Sequence, residues 1–282
     1  MKTSFLTLLF VGLFCTCGLA QLRAQRSGAA KNFPTPVNDI VPERTNLDRP
    51  ALPYPPLREA DILWQKRTWR VIDVREKINQ PFAKQDRPLI SILMEAAEDK
   101  KIQLYSTIDD RFSTPLSEAE RLNIAGAIDT VPVYDEVGDV TYELVARDLN
   151  PTDITHYRIQ EMWYIDKNTS TMKVRIIGLA PIMNETDENG NILFPRPLFW
   201  IWYPGARDVL ARETAWMADN SIHSRSWDDV FQSRLFDSSI VQEENVSNRR
   251  LTDIYPDGRT QLIVGERVNR TVMNKEHDLW SH

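Results

Sequence analysis

The chain runs to 282 residues, 42% hydrophobic and 9% aromatic, with 34 Lys and Arg against 40 Asp and Glu for a formal net charge of −6. An acidic balance of this kind repels phosphate backbones and anionic lipid, which argues against nucleic acid as a partner. Both cysteines, Cys15 and Cys17, fall near the N-terminus, so the residues beyond them can build neither a disulfide framework nor a thiolate metal site.

In chain order, Lys2, the apolar run Phe5–Phe14 and the small-residue stretch ending Gly18-Leu19-Ala20 read as a secretory signal peptide over residues 1–24, with cleavage after Ala20 or Ala24. The apolar run is about half the ~20 residues a membrane-spanning helix needs, so no direct membrane insertion is expected. Residues 25–56 carry prolines at 34, 36, 42, 50, 53, 55 and 56. Proline withholds a ladder donor and favours extended backbone, so this stretch reads as an arm or linker, either a passive spacer or a segment that wraps a partner. Pro53 and Tyr54 are its candidate contacts.

A single α+β domain is expected over 57–255. Leu57, Ala60, Leu63 and Trp64 share helical spacing, which predicts a helix to about Arg67. The charged run Asp73, Arg75, Glu76, Lys77 reads as surface ion pairs. Pro88 opens a helix over 89–100 with Leu89, Ile92, Leu93, Ala96 and Ala97 on one side, and Thr114-Pro115 predicts a capped helix over 116–125. From about 154 to 203 the period changes to an antiparallel β-meander: a hairpin with its turn at 167–170, a second turn at 188–191, then Leu198–Tyr203. Pro195 and Pro197 predict an edge or a bulge there. Trp200 and Trp202 should share a face, either packed as core or docking a partner. Helical spacing returns with Val209, Leu210, Trp216 and Met217, and Asp208 with Arg212 forms a candidate i,i+4 ion pair. In Ser226-Trp227-Asp228-Asp229, the S-x-x-D spacing places Ser226 at the N-cap, with Trp227, Val230, Phe231 and Leu235 on the apolar face and both acids pointing away from it. Residues 256–282 read as a polar tail.

Chemistry-bearing patterns are sparse. No two glycines form a G-x-G or Walker spacing, so nucleotide cofactors are not expected. His156, His223, His277 and His282 have no ligand spacing, and an acidic turn at Glu185, Asp187, Asn189 and Gly190 places Arg196 where a calcium loop needs its glutamate. Asp109-Asp110 and Asp135-Glu136 read as solvated turns rather than an acid and base pair. No catalytic, cofactor-binding or metal residue is assigned, and no enzyme activity is expected. Two other readings remain open: a carbohydrate- or peptidoglycan-binding module using Trp200 and Trp202, and a hydrolase built from dispersed carboxylates.

Three long segments carry a resemblance: WQKRTWRVIDVREKINQPF at 64–82, PLFWIWYPGARDVL at 197–210 and SWDDVFQSRLFDSSIVQEEN at 226–245. With them the chain resembles the GldN/PorN family over about 57–255. The resemblance implies a non-enzymatic, soluble periplasmic subunit of type IX secretion and gliding machinery. It implies self-association within a ring, assembly with an outer-membrane lipoprotein of the GldK/PorK type, and contact with the periplasmic part of a GldM/PorM-type motor protein. The family's motifs transfer no catalytic residue. Candidate partner contacts are Pro53, Tyr54, Trp64, Trp69, Trp200, Trp202 and Trp227.

Overall fold

The computed structural model describes residues 50–134, 140–186, 192–215 and 225–280. The leader, the arm as far as residue 49, the Asp135-Glu136 pair, the turn at 188–191, Trp216, Met217, His223 and His282 lie outside the described residues. Those described form an α+β fold around one sheet with antiparallel pairing throughout, its strands ordered Ser239–Glu243, Ile62–Asp73, Ile154–Asp166, Thr171–Thr186, Trp200–Trp202, Leu104–Tyr105.

After a short 3-10 turn at Glu59–Asp61, the expected helix over 57–67 is replaced by strand β1, Ile62–Asp73. Leu57, Ala60, Leu63 and Trp64 do keep helical spacing, but Ile62–Asp73 is rich in β-branched and aromatic residues and finds a long antiparallel partner in β5, Ile154–Asp166, from Ile62↔Asp166 to Asp73↔His156. Tertiary pairing of this kind overrides a weak local preference. Asn79, in the following 3-10 stretch Lys77–Ala83, donates to the carbonyls of Asp73 and Asp237 and accepts from the amide of Asp237, which lowers Phe82 into the core.

Helix α1 (Leu89–Glu98) forms as expected, burying Leu89, Ile90, Ile92, Leu93, Ala96 and Ala97. Strand β2 (Leu104–Tyr105) follows. Helix α2 (Glu118–Ala125) starts later than Thr114-Pro115 predicts: Ser117 is its cap, exchanging bonds with Glu120, while Pro115 bridges Tyr105 and the Leu116 amide donates to Leu104. Strands β3 (Gly126–Tyr134) and β4 (Val140–Asp148) make a separate hairpin that the sequence reading lacked.

The expected hairpin is β5 with β6 (Thr171–Thr186). The third strand of the meander splits. β7 (Ile192–Pro197) pairs the far end of β6, and β8 (Trp200–Trp202) pairs Gly178 and Leu179. The prolines account for the break, because β7 sits on the sheet margin where a missing amide donor is tolerated. Helix α3 (Tyr203–Arg212), the two-residue pair β9 (Thr214–Ala215) and β10 (Arg225–Ser226), helix α4 (Trp227–Gln232), strand β11 (Ser239–Glu243) and the short α5 (Leu251–Ile254) complete the domain.

The polar tail expected over 256–282 is instead mostly helix α6, Gly258–Trp280. Asp257 caps it, accepting from the amide and hydroxyl of Thr260. Gln261, Val264, Gly265, Val268 and Val272 form the inward stripe. A Cβ on Gly265 would lie 2.7 Å from the Ile240 carbonyl oxygen, so glycine is what lets the helix approach β11. Asn269 accepts from Arg70 and Glu276 accepts from the Met172 amide, fastening α6 to two strands.

One sheet face carries the main core. Ile72, Tyr157, Ile159, Leu179 and Ile201 meet α1, α3 and α4, with Phe82 packed edge-on to Trp227 at 4.9 Å. The other face holds a smaller cluster of Trp69, Ala180 and Trp200, closed by Phe112. A Cβ on Gly178 would sit 2.6 Å from the Phe112 ring, so this closure also needs a glycine.

Candidate functional site

Pro50, Pro53, Pro55 and Pro56 hold the segment before β1 extended, and the helical layer receives it through one side chain. The Arg207 guanidinium lies over the Tyr54 ring at 4.1 Å and that of Arg175 at 4.9 Å. Gln232 Nε2 donates to the Tyr54 hydroxyl at 3.0 Å, and Arg175 Nη2 donates to the Pro55 carbonyl at 2.6 Å. Pro53 and Tyr54, named from sequence, are therefore part of a docked strap. A cavity of about 750 Å³ lies between residues 50–55 and Arg207, Asp228, Asp229 and Gln232.

Arg207 is fixed from below. Asp228 accepts two bonds from it, Nε to Oδ1 and Nη2 to Oδ2, both at 2.9 Å, and a third from the Tyr203 hydroxyl at 2.8 Å. Arg207 and Asp228 are only 6% and 5% exposed. The two helices present this chemistry by spacing: Tyr203 and Arg207 are four apart on α3, and Asp228 and Gln232 four apart on α4, so each pair shares a helix side. The expectation that both acids of Ser226-Trp227-Asp228-Asp229 point away from the core holds for Asp229 alone. Asp229 closes the capping box with Ser226, whereas Asp228 turns inward to the buried guanidinium.

Burial raises the Tyr54 hydroxyl above its ordinary pKa, partly opposed by its bond from Gln232. Tyr203 is raised well above it, by burial first and then by the Asp228 charge. Burial pulls Arg207 down, but the bonds and charge of Asp228 outweigh it and the net shift is upward. Both phenols thus stay protonated and the guanidinium stays charged near neutral pH. The assembly holds a cation face against an aromatic ring, an arrangement suited to gripping a chain segment.

The other candidates are dispersed. Trp227 and Trp200, each 1% exposed, belong to the two opposite core clusters, and Trp69 packs with Trp200. Trp202 follows Trp200 by two positions but is 48% exposed, so only one of the pair is built into the core. Trp64 is half-buried on β1. Asp208 and Arg212 make no ion pair; the neighbouring Glu213 instead takes Arg87. Asp73 does pair with Arg75, as the charged run implied. Asp109 holds the Ser113 hydroxyl and the Arg111 amide, in a turn. His156 meets Thr155 and lies 3.6 Å from Asp73. Among the described residues no three His, Cys, Asp or Glu side chains gather as a metal site, and no helix is long and apolar enough to cross a membrane.

Sequence reasoning missed Arg175, Tyr203, Arg207, Asp228 and Gln232. The i,i+4 spacings of Tyr203 with Arg207 and of Asp228 with Gln232 were visible, but nothing local pairs an arginine of one helix with an aspartate of another. No curated protein matches the chain. A family model described as "Gliding motility associated protein GldN" matches residues 57–281.

Proposed function

The chain belongs to the GldN family of gliding motility associated proteins, and we propose that it is a non-enzymatic structural subunit of a periplasmic ring, assembled with an outer-membrane lipoprotein of the GldK/PorK type and serving type IX secretion and gliding. Contact with a GldM/PorM-type motor protein belongs to the same reading. The supporting observation is the grip on Tyr54. A surface that holds a proline-rich segment by two guanidinium faces, a hydroxyl bond and a carbonyl bond is organised for chain docking. Arg207 is charge-paired with Asp228, and the Tyr54 and Tyr203 hydroxyls are protonated near neutral pH.

Co-expression with a GldK/PorK-type lipoprotein, followed by purification and mass measurement, tests the assembly. The protein is expected in a large complex, and a protein that stays monomeric and unbound refutes the ring reading. Tyr54→Ala tests the arm separately. Losing two cation–π contacts of about 0.5–2 kcal/mol each loosens the docked strap, and capture that depends on it should weaken about fivefold or more. Undiminished capture by Tyr54→Ala would leave assembly standing and remove the arm from it.

A further inference from the structure

The sheet face opposite the main core carries polar atoms that the fold leaves unanswered. Antiparallel partners share a face, so the pairs Arg67↔Met162, Trp69↔Gln160 and Val71↔Arg158 put Arg67, Trp69, Arg158 and Gln160 on one side of two central strands. Arg67 Nε, Trp69 Nε1, Arg158 Nε and Gln160 Oε1 are all buried without a hydrogen-bond partner among the described residues. Three of the four are donors. The Gln160 amide nitrogen is already committed to the Asp110 carbonyl, leaving only its oxygen as an acceptor.

Charge points the same way. Neither Arg67 nor Arg158 has a carboxylate within ion-pair distance among the described residues. The charged groups felt by Arg158 are Arg250, which opposes its charge, and the more weakly acting Asp110, which supports it. Burial brings the Arg158 guanidinium down to about 10, so it remains cationic at neutral pH. Native proteins rarely leave buried donors unanswered, and a guanidinium fork matches the geometry of a planar or tetrahedral oxyanion. A cation is excluded by sign, and a neutral ligand would leave the guanidinium charge uncompensated.

We propose that this face, centred on Arg158 with Trp69 and Arg67, is a binding site for an oxyanion: a carboxylate of an acidic peptide or a free phosphate-type anion. The site lies on the opposite side of the sheet from the Phe82 and Trp227 core and does not depend on the docked arm. It gives an acidic protein one surface that attracts acidic groups.

Titration calorimetry of the purified protein with inorganic phosphate and with a glutamate-rich peptide, at constant ionic strength in chloride, tests it. At least one probe should bind, and Arg158→Gln should weaken that binding about tenfold or more, while Arg270→Gln on the exposed side of α6 leaves it unchanged. Trp69→Phe keeps a six-membered aromatic ring but removes the pyrrole portion with its N–H, and it too should weaken binding. Phosphate binding alone identifies a free anion as ligand, and preferential peptide binding identifies a carboxylate partner; either supports the site. Failure of both probes on the unaltered protein overturns it, as does binding that survives Arg158→Gln. In the same chloride buffer without phosphate or peptide, Arg158→Gln should unfold at the same urea concentration or higher, because it relieves an unpaired charge; a clear fall would make Arg158 a structural residue and overturn the proposal.

Discussion

Asp228→Asn isolates the ion pair beneath the docked strap. Asparagine keeps the size and one acceptor oxygen but removes the charge, leaving Arg207 buried, cationic and unbalanced. Removing one partner of a buried pair costs about 3–5 kcal/mol. The lower figure applies here, because a single ring, that of Tyr54, covers the guanidinium from the outside. A loss of about 3 kcal/mol in a domain of this size lowers Tm by about 6–12 °C. Urea unfolding followed by tryptophan fluorescence reads it directly, since Trp227 adjoins Asp228 in the core. The double variant Arg207→Met with Asp228→Leu should recover part of the loss, because an apolar pair of similar volume carries no desolvation penalty while the buried Tyr203 hydroxyl still loses its acceptor. If Asp228→Asn costs under about 1 kcal/mol, water reaches the guanidinium and the pair is not what fixes the cation face.

Gly265→Ala places a Cβ 2.7 Å from the Ile240 carbonyl oxygen, backbone that cannot rotate aside. It should cost about 1–3 kcal/mol and raise hydrogen exchange along α6 in particular; unchanged exchange would mean α6 is held elsewhere. Acid should also destabilise the protein in two steps. Hydrogen bonds from Arg75 hold the Asp73 carboxyl at about 2, against an opposing effect of burial. A depressed carboxyl pKa gives stability that is full above the unfolded value near 3.8 and lost as pH falls toward 2. Arg75 is exposed, so solvent screening limits this to about 1 kcal/mol or less. Burial lowers the His156 pKa below 6.5, and stability from its neutral form falls away as pH drops below that value. Urea midpoints measured against pH should lose the first decline in His156→Gln and show a smaller second decline in Asp73→Asn, the remainder belonging to the other carboxyls held low by hydrogen bonds, among them Asp166 and Asp257.

What the sequence revealed of the fold divides by the range of the interactions involved. α1, the β5–β6 hairpin and the Ser226 cap depend on residues within one element or one turn, and their spacing is visible locally. β1 was hidden because its partner β5 begins more than eighty residues later, and a helical coincidence at Leu57, Ala60, Leu63 and Trp64 filled the gap. α6 was hidden for a different reason. Its inward stripe is narrow, with Val268 and Val272 buried but Gln261 and Val264 only half-buried, and exposed Leu262, Ile263 and Met273 break the contrast between its sides.

The site was legible only where a single residue type announced it. Tyr54 stood out as an aromatic among prolines, but its receptor comes from three separate elements: Arg175 on β6, Arg207 on α3 and Gln232 on α4. Asp228 shows why local rules fall short. Its place in the first turn of α4 already explains a carboxylate by the helix dipole, which accounts for a few tenths to about 1 kcal/mol. The buried bond to Arg207 is worth more and overrides that surface role, turning the side chain inward while Asp229 keeps the cap. Two adjacent aspartates thus divide the work, one starting the helix and the other fixing the cation that grips the arm.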